Sequence, residues 1–144
     1  MAEIVIRPAF WHNRARMKRI AQPMEQVMRR IKRAAVSVKP KQPYLEWANG
    51  LDEDGVKLGI EFTPEETIYL VDELAEGELD LETLLEPYFE IIFEEELNAW
   101  HRREADWPQE RDFRLFQAWF DIELHSLVLD LKGGWLRTER YERY

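Results

Sequence analysis

The chain has 144 residues, with 20 Lys+Arg against 29 Asp+Glu for a formal net charge of −9, no Cys, and 6 Trp, 5 Tyr and 7 Phe. Such a length fits one domain with a sizeable core, and the aromatic content argues against wholesale disorder. The lack of Cys excludes a disulfide scaffold, a thiol nucleophile and Cys-ligated zinc. No apolar run approaches the roughly 20 residues of a membrane span. Met1 to Pro8 carries an early acid and too short an apolar run for a secretory signal, so a cytoplasmic location is expected.

The mean charge conceals an uneven distribution. Residues 1–47 hold 11 Lys/Arg and 3 Asp/Glu, a net of +8, whereas residues 52–96 hold 17 acids and one base, Lys57, a net of −16. Residues 97–144 are almost balanced, with 8 bases and 9 acids. Either the basic segment folds against the acidic one, or it binds something anionic. Attraction within one chain favours the first.

In chain order, Met17, Ile20, Met24, Val27, Met28 and Ile31 recur at helical spacing among Arg and Lys, and Pro23 suits a first turn. A basic amphipathic helix is predicted over Gln22 to Lys32, docking its Met/Ile stripe on the core. Ala34 to Lys39 reads as a strand ended by Pro40. Gln42 to Gly50 reads as a short helix, opened by Pro43 and closed by Asn49-Gly50. Asp52 to Gly59 lacks the spacing of a calcium loop and reads as a solvated turn.

Thr67 to Val71, β-branched and aromatic, reads as a second, buried strand. Leu81, Leu84, Leu85, Tyr88, Phe89, Ile92, Phe93 and Leu97 predict a helix from Leu81 to Arg102, N-capped by Asp80 and kinked or broken at Pro87. Its Glu94-Glu95-Glu96 run reads as a solvated face. Arg111 to Phe120 is a compact helix whose aromatics, with Trp100 and Trp107, are expected in the core. Ile122 to Leu131 fits a helical stripe and a strand alike; punctuation by Gly133-Gly134 favours a strand at Ser126 to Leu131. The predicted architecture is α+β, a small three-stranded sheet covered by helices in a single domain. Its parts are a basic helical leader (1–33), a core (34–132) and a charged, loosely held tail (133–144).

Candidate chemistry is sparse. If residues 121–125 are extended, Asp121, Glu123 and His125 share one face, where they could hold a divalent metal or form an acid/base pair. Pairing of these groups with arginines or solvent is the simpler expectation. Glu90, Glu94, Asn98 and His101 share a helix face, but the chain contains no Glu-x-x-His. There is no phosphate-cradling glycine loop, no nucleophile elbow, no RNA-binding aromatic signature, and no Ser or Thr with an obvious base partner.

Tyr88 to Leu97, then Trp100, Trp107-Pro108, Arg111, Phe116, Trp119-Phe120-Asp121, Glu123, His125-Ser126 and Asp130-Leu131, resemble a family of small acidic bacterial proteins without assigned function. Lys39-Pro40-x-x-Pro43-Tyr44-Leu45-x-Trp47 resembles the start of the same pattern, so the likeness spans about Arg30 to Lys132. It implies no activity and no cofactor, and it leaves residues 1–28 outside, with Met28 as an alternative start.

The leading expectation is a non-enzymatic, cytoplasmic protein-interaction or regulatory module with an acidic surface. Its partner would be a basic protein or a second copy in a homodimer; nucleic acid is disfavoured, and neither a membrane nor a cofactor is expected. The alternative is a small metal-dependent hydrolase built on Asp121, Glu123 and His125.

Overall fold

The computed structural model describes residues 5–7, 27–51, 65–75, 77 and 80–143, with side chains from residue 27 onward. The fold is α+β, as expected. Seven residues, Ala34–Pro40, all buried except the half-buried Lys39, form the central strand β3 once two short strands, β1 (Val5–Arg7) and β2 (Arg29–Arg30), have been counted ahead of it. There follow α1 (Gln42–Gly50), β4 (Thr67–Val71), α2 (Leu81–Leu85), α3 (Phe89–Trp100), a 3₁₀ turn (Glu104–Asp106), α4 (Phe113–Trp119), β5 (Phe120–His125) and β6 (Leu129–Asp130). The main sheet has the order β1-β5-β3-β4, and β2 and β6 form a separate ribbon.

The expected three-stranded sheet is β5-β3-β4, and its pairing is antiparallel, with Val36 opposite Leu124 on one side and Tyr69 on the other. A fourth strand joins it: Val5–Arg7 from the leader pairs in parallel with Glu123–His125. The leader helix expected at 22–32 requires correction over its described part. Arg29–Arg30 is extended and pairs with Leu129–Asp130, and Ile31 N–H donates to Val128 O (2.8 Å). A Met/Ile stripe reports only local amphipathicity, whereas partners about a hundred residues away decide the backbone there. Residues 22–26 lie outside the described residues.

Asp80 caps α2 by accepting from the Glu82 N–H (3.2 Å) and the Thr83 hydroxyl. The single helix expected from Leu81 to Arg102 is two, because Pro87 has no N–H to continue the ladder. Tyr88 N–H closes the first against Leu85 O (2.8 Å). The second stops at Trp100, where His101 turns extended. Asp112 caps α4 at the Leu115 N–H (2.7 Å). The last main-sheet strand corrects the expectation of Ser126 to Leu131: it is Phe120–His125, and further on Leu129–Asp130 pairs in the ribbon.

One face of the sheet makes the core. Val36, Val38, Val71, Ile122 and Leu124 meet Leu45, Leu85, Phe93, Leu97 and Phe116 from the helices. Phe93, Phe116 and Phe120 form a mutually contacting triangle, with ring centroids 5.3 to 5.9 Å apart. Lys41 ties the mouth of α1 to the end of α4, its N–H donating to Trp119 O (2.8 Å) and its Nζ to Gln117 O (3.1 Å). As expected, Trp107, Phe113, Phe116 and Phe120 are buried, although Trp100 is largely exposed.

Candidate functional site

Alternation along β5 sends Phe120, Ile122 and Leu124 into the core and Asp121, Glu123 and His125 to the opposite face. Antiparallel register places Ser37 directly across from Glu123 and diagonal to His125. Ser37 Oγ lies 3.3 Å from His125 Nε2 and donates to Glu123 O at 3.4 Å, and Glu123 Oε1 lies 3.9 Å from the same imidazole nitrogen. Glu123 and His125 are therefore brought together. Asp121 sits exposed at the start of the strand, opposite Lys39.

Among the described residues, no three His, Asp or Glu side chains converge as a metal site would need. Ser37 has a base beside it after all, a pairing that only cross-strand register reveals. Its chain partners are 86 and 88 residues away, so no local spacing could have shown it. Yet Ser37 is 3% exposed, and its hydroxyl is spent on a backbone carbonyl. This arrangement suits a polar fastening between β3 and β5 better than a nucleophile, which needs access to a substrate.

The other candidate helix face separates as well. His101 Nε2 meets Asp106 Oδ2 at 2.8 Å, while Glu94 pairs with Arg111 at 3.2 Å. Two of its four residues, Glu94 and His101, are thus taken up by separate pairs.

A different site stands out between α3 and β4. Ile91, Glu95 and Ala99, at i, i+4 and i+8 of α3, face Thr67, Ile68 and Tyr69 across a groove of about 570 Å³. β4 is the edge of the main sheet, so its outer backbone edge has no strand partner among the described residues. Ile68 and Ile91 are 65% and 60% exposed at its rim. Glu96 contributes from below. The expectation of a solvated Glu94-Glu95-Glu96 run fails at this residue: Glu96 stands four after Ile92, on the core side, and is buried. Sequence periodicity held that signal, masked by the three consecutive acids.

Glu96 is held from both sides of the helix. Tyr69 Oη donates to its Oε1 (2.8 Å), and Tyr44 Oη donates to its backbone carbonyl (2.7 Å). Burial raises its carboxyl above the ordinary 4.5, against the hydrogen bonds from Tyr69 and Thr67 that favour the anion; Glu95 adds to the rise. Burial and the Glu96 charge hold both phenols protonated well above their ordinary value.

A raised carboxyl makes its full contribution to stability below the unfolded value and loses it as pH climbs through the folded one. Glu96→Gln keeps an oxygen for Tyr69 and never ionises. It should melt higher than wild type at about pH 8, with the gap closing by about pH 4. A gap of equal size at both values would show that ionisation of Glu96 carries no cost.

The tail is exposed and without helix or strand from Lys132 to Arg143, and its side chains reach this groove. Tyr141 Oη donates to Glu95 Oε1 (2.9 Å), and the Arg143 guanidinium pairs with Glu95 Oε2. On the opposite flank of α3 a second cleft of about 450 Å³ is lined by Asp80, Glu82, Glu86, Glu90 and Asp112, with Arg111. No helix among the described residues is long and apolar enough to cross a membrane. No family model, no curated protein and no solved structure matches this chain.

Proposed function

We propose that the protein is a non-enzymatic interaction module that receives a basic partner on the acidic surface formed by α2, α3 and the neighbouring edge of β4. The observation that carries this reading is the position of the acids. Glu82, Glu86 and Glu90 are exposed along α2 and the start of α3, and Glu95 lines a groove bounded by exposed Ile68 and Ile91 and by a strand edge with no strand partner among the described residues. Glu95 beside the apolar rim suits a partner that brings both apolar and cationic groups, and Glu82, Glu86 and Glu90 extend the acidic charge onto the other flank of α3. The described cations of the leader offset little of that charge at close range: Arg30 reaches Glu73 at 4.0 Å, with both side chains about half exposed.

Ser37, Glu123 and His125 give the chain an internal polar fastening, and the function does not draw on them. The test is salt. A partner captured by the full chain at about 0.05 M salt should be released at about 0.5 M, where exposed charges are screened within a few ångströms. It should also fail to bind a Glu86→Lys/Glu90→Lys variant. Retention by wild type at both concentrations, or by the variant, would overturn the reading.

A further inference from the structure

The tail segment Tyr141-Glu142-Arg143 shows what the α3/β4 groove accepts. One carboxylate, Glu95, takes a phenol on one oxygen and a guanidinium on the other, from residues two apart in the chain. The tail reaches the groove through these side chains and forms no ladder with β4, so among the described residues the outer edge of Thr67–Val71 has no strand partner. Tyr141 is 76% exposed. The hydrogen bond is exposed and the Arg143 side chain is 39% exposed against 17% for Glu95, so solvent competes for the tail's side of both contacts. Its occupancy rests on being tethered, which raises its local concentration to the millimolar range.

We propose that the groove is a docking channel for an extended basic peptide of a partner protein carrying an aromatic residue and an arginine two positions apart, and that the chain's own tail occupies it in cis as a displaceable competitor. The inference rests on the interaction reading above and names its place and partner chemistry. An incoming peptide offers what the tail does not use. Its backbone can add to the outer edge of β4 as a further strand, and its alternate side chains can cover Ile68 and Leu70 on one side and Ile91 on the other. Glu95 then exchanges the tail's arginine for the partner's. The competition sets a threshold: partners that supply only charge meet an occupied site, and those that also add a strand displace the tail.

The probe is a synthetic peptide with the sequence of residues 137–143, Arg-Thr-Glu-Arg-Tyr-Glu-Arg, titrated into isotope-labelled full chain while the backbone amides of Thr67–Val71 are followed by NMR. Tyr141→Ala/Arg143→Ala in the full chain should lower the half-saturating peptide concentration by about two- to ten-fold, because the cis competitor is gone. Adding Glu95→Lys to that background should abolish the response. A peptide with Tyr replaced by Ala should bind several-fold more weakly. Equal half-saturation for wild type and the double variant would overturn the inference. Equal binding of the Tyr-free peptide would also overturn it while leaving the acidic-surface reading standing, since charge alone would then suffice. A concentration-dependent dimer of wild type that the double variant lacks would likewise overturn it, in favour of tail exchange between two copies.

Discussion

Phe93→Ala should cost about 3–5 kcal/mol and lower the melting temperature by roughly 10 °C or more. The ring is fully buried and stands at the meeting point of α3, α4 and β5, with Phe116 at 5.9 Å, Trp119 at 5.7 Å and Phe120 at 5.3 Å. Three of its neighbours are themselves rings whose positions are fixed by a short helix running directly into a strand, so the hole cannot collapse without moving Phe120 out of register with Pro40. Against a total of about 5–15 kcal/mol for an ordinary domain, such a loss removes a third or more of the margin. Thermal melts of Phe93→Ala and Phe93→Leu decide it. If the Ala variant falls by less than about 1 kcal/mol, the ring triangle is not the mechanical centre of the fold.

Whether an element was legible in the sequence depended on whether its cause is local. Helix α1 and strand β4 match their predicted bounds because Pro43 and the run Thr67-Ile68-Tyr69-Leu70-Val71 act within a few residues of themselves, although Asn49-Gly50 does not supply the left-handed stop expected of it and Leu51 caps α1 in the right-handed region. The break at Pro87 is equally local. Strand β5 is not, since Phe120 and Leu124 serve a helical stripe as well as they serve alternation, and only pairing with β3 and β1 selects the extended form. The same cause explains Arg29–Arg30, helical by pattern and extended by its pairing with Leu129–Asp130.

For the candidate site, sequence placed the acids but not their environment. Glu95 and Glu96 are adjacent in the chain, yet one faces a groove and the other is buried under two tyrosines that stand 52 and 27 residues before it. Asp121, Glu123 and His125 do share a face, as alternation required. Their partner Ser37 could be found only through the register of two strands far apart in sequence.

Tyr44 tests the packing that positions this groove. It is buried where α1 meets α3 and α4, with Trp47 at 5.3 Å, Phe120 at 5.6 Å and Trp119 edge-on at 6.3 Å, and its hydroxyl donates to Glu96 O. Two contributions can be separated by two substitutions. Tyr44→Phe keeps the ring and removes one buried hydrogen bond, a loss of about 1 kcal/mol. Tyr44→Ala removes the aromatic contacts as well and should cost about 3–5 kcal/mol, comparable to the truncation of Phe93. Burial, aided by the Glu96 charge, keeps the phenol protonated far above its ordinary value of 10.0. The Tyr44→Phe deficit should therefore be constant between about pH 5 and about pH 9, since a raised phenol loses its contribution only at higher pH. That constancy distinguishes it from Glu96→Gln, whose effect must vary across the same interval. The link to function is positional: Tyr44 fixes the α3 backbone at Glu96, one residue from Glu95, so Tyr44→Ala should weaken peptide binding at the groove more than Tyr44→Phe does. Loss of binding in Tyr44→Phe equal to that in Tyr44→Ala would assign the positioning to the hydrogen bond alone, and no loss in either would separate the groove from this packing altogether.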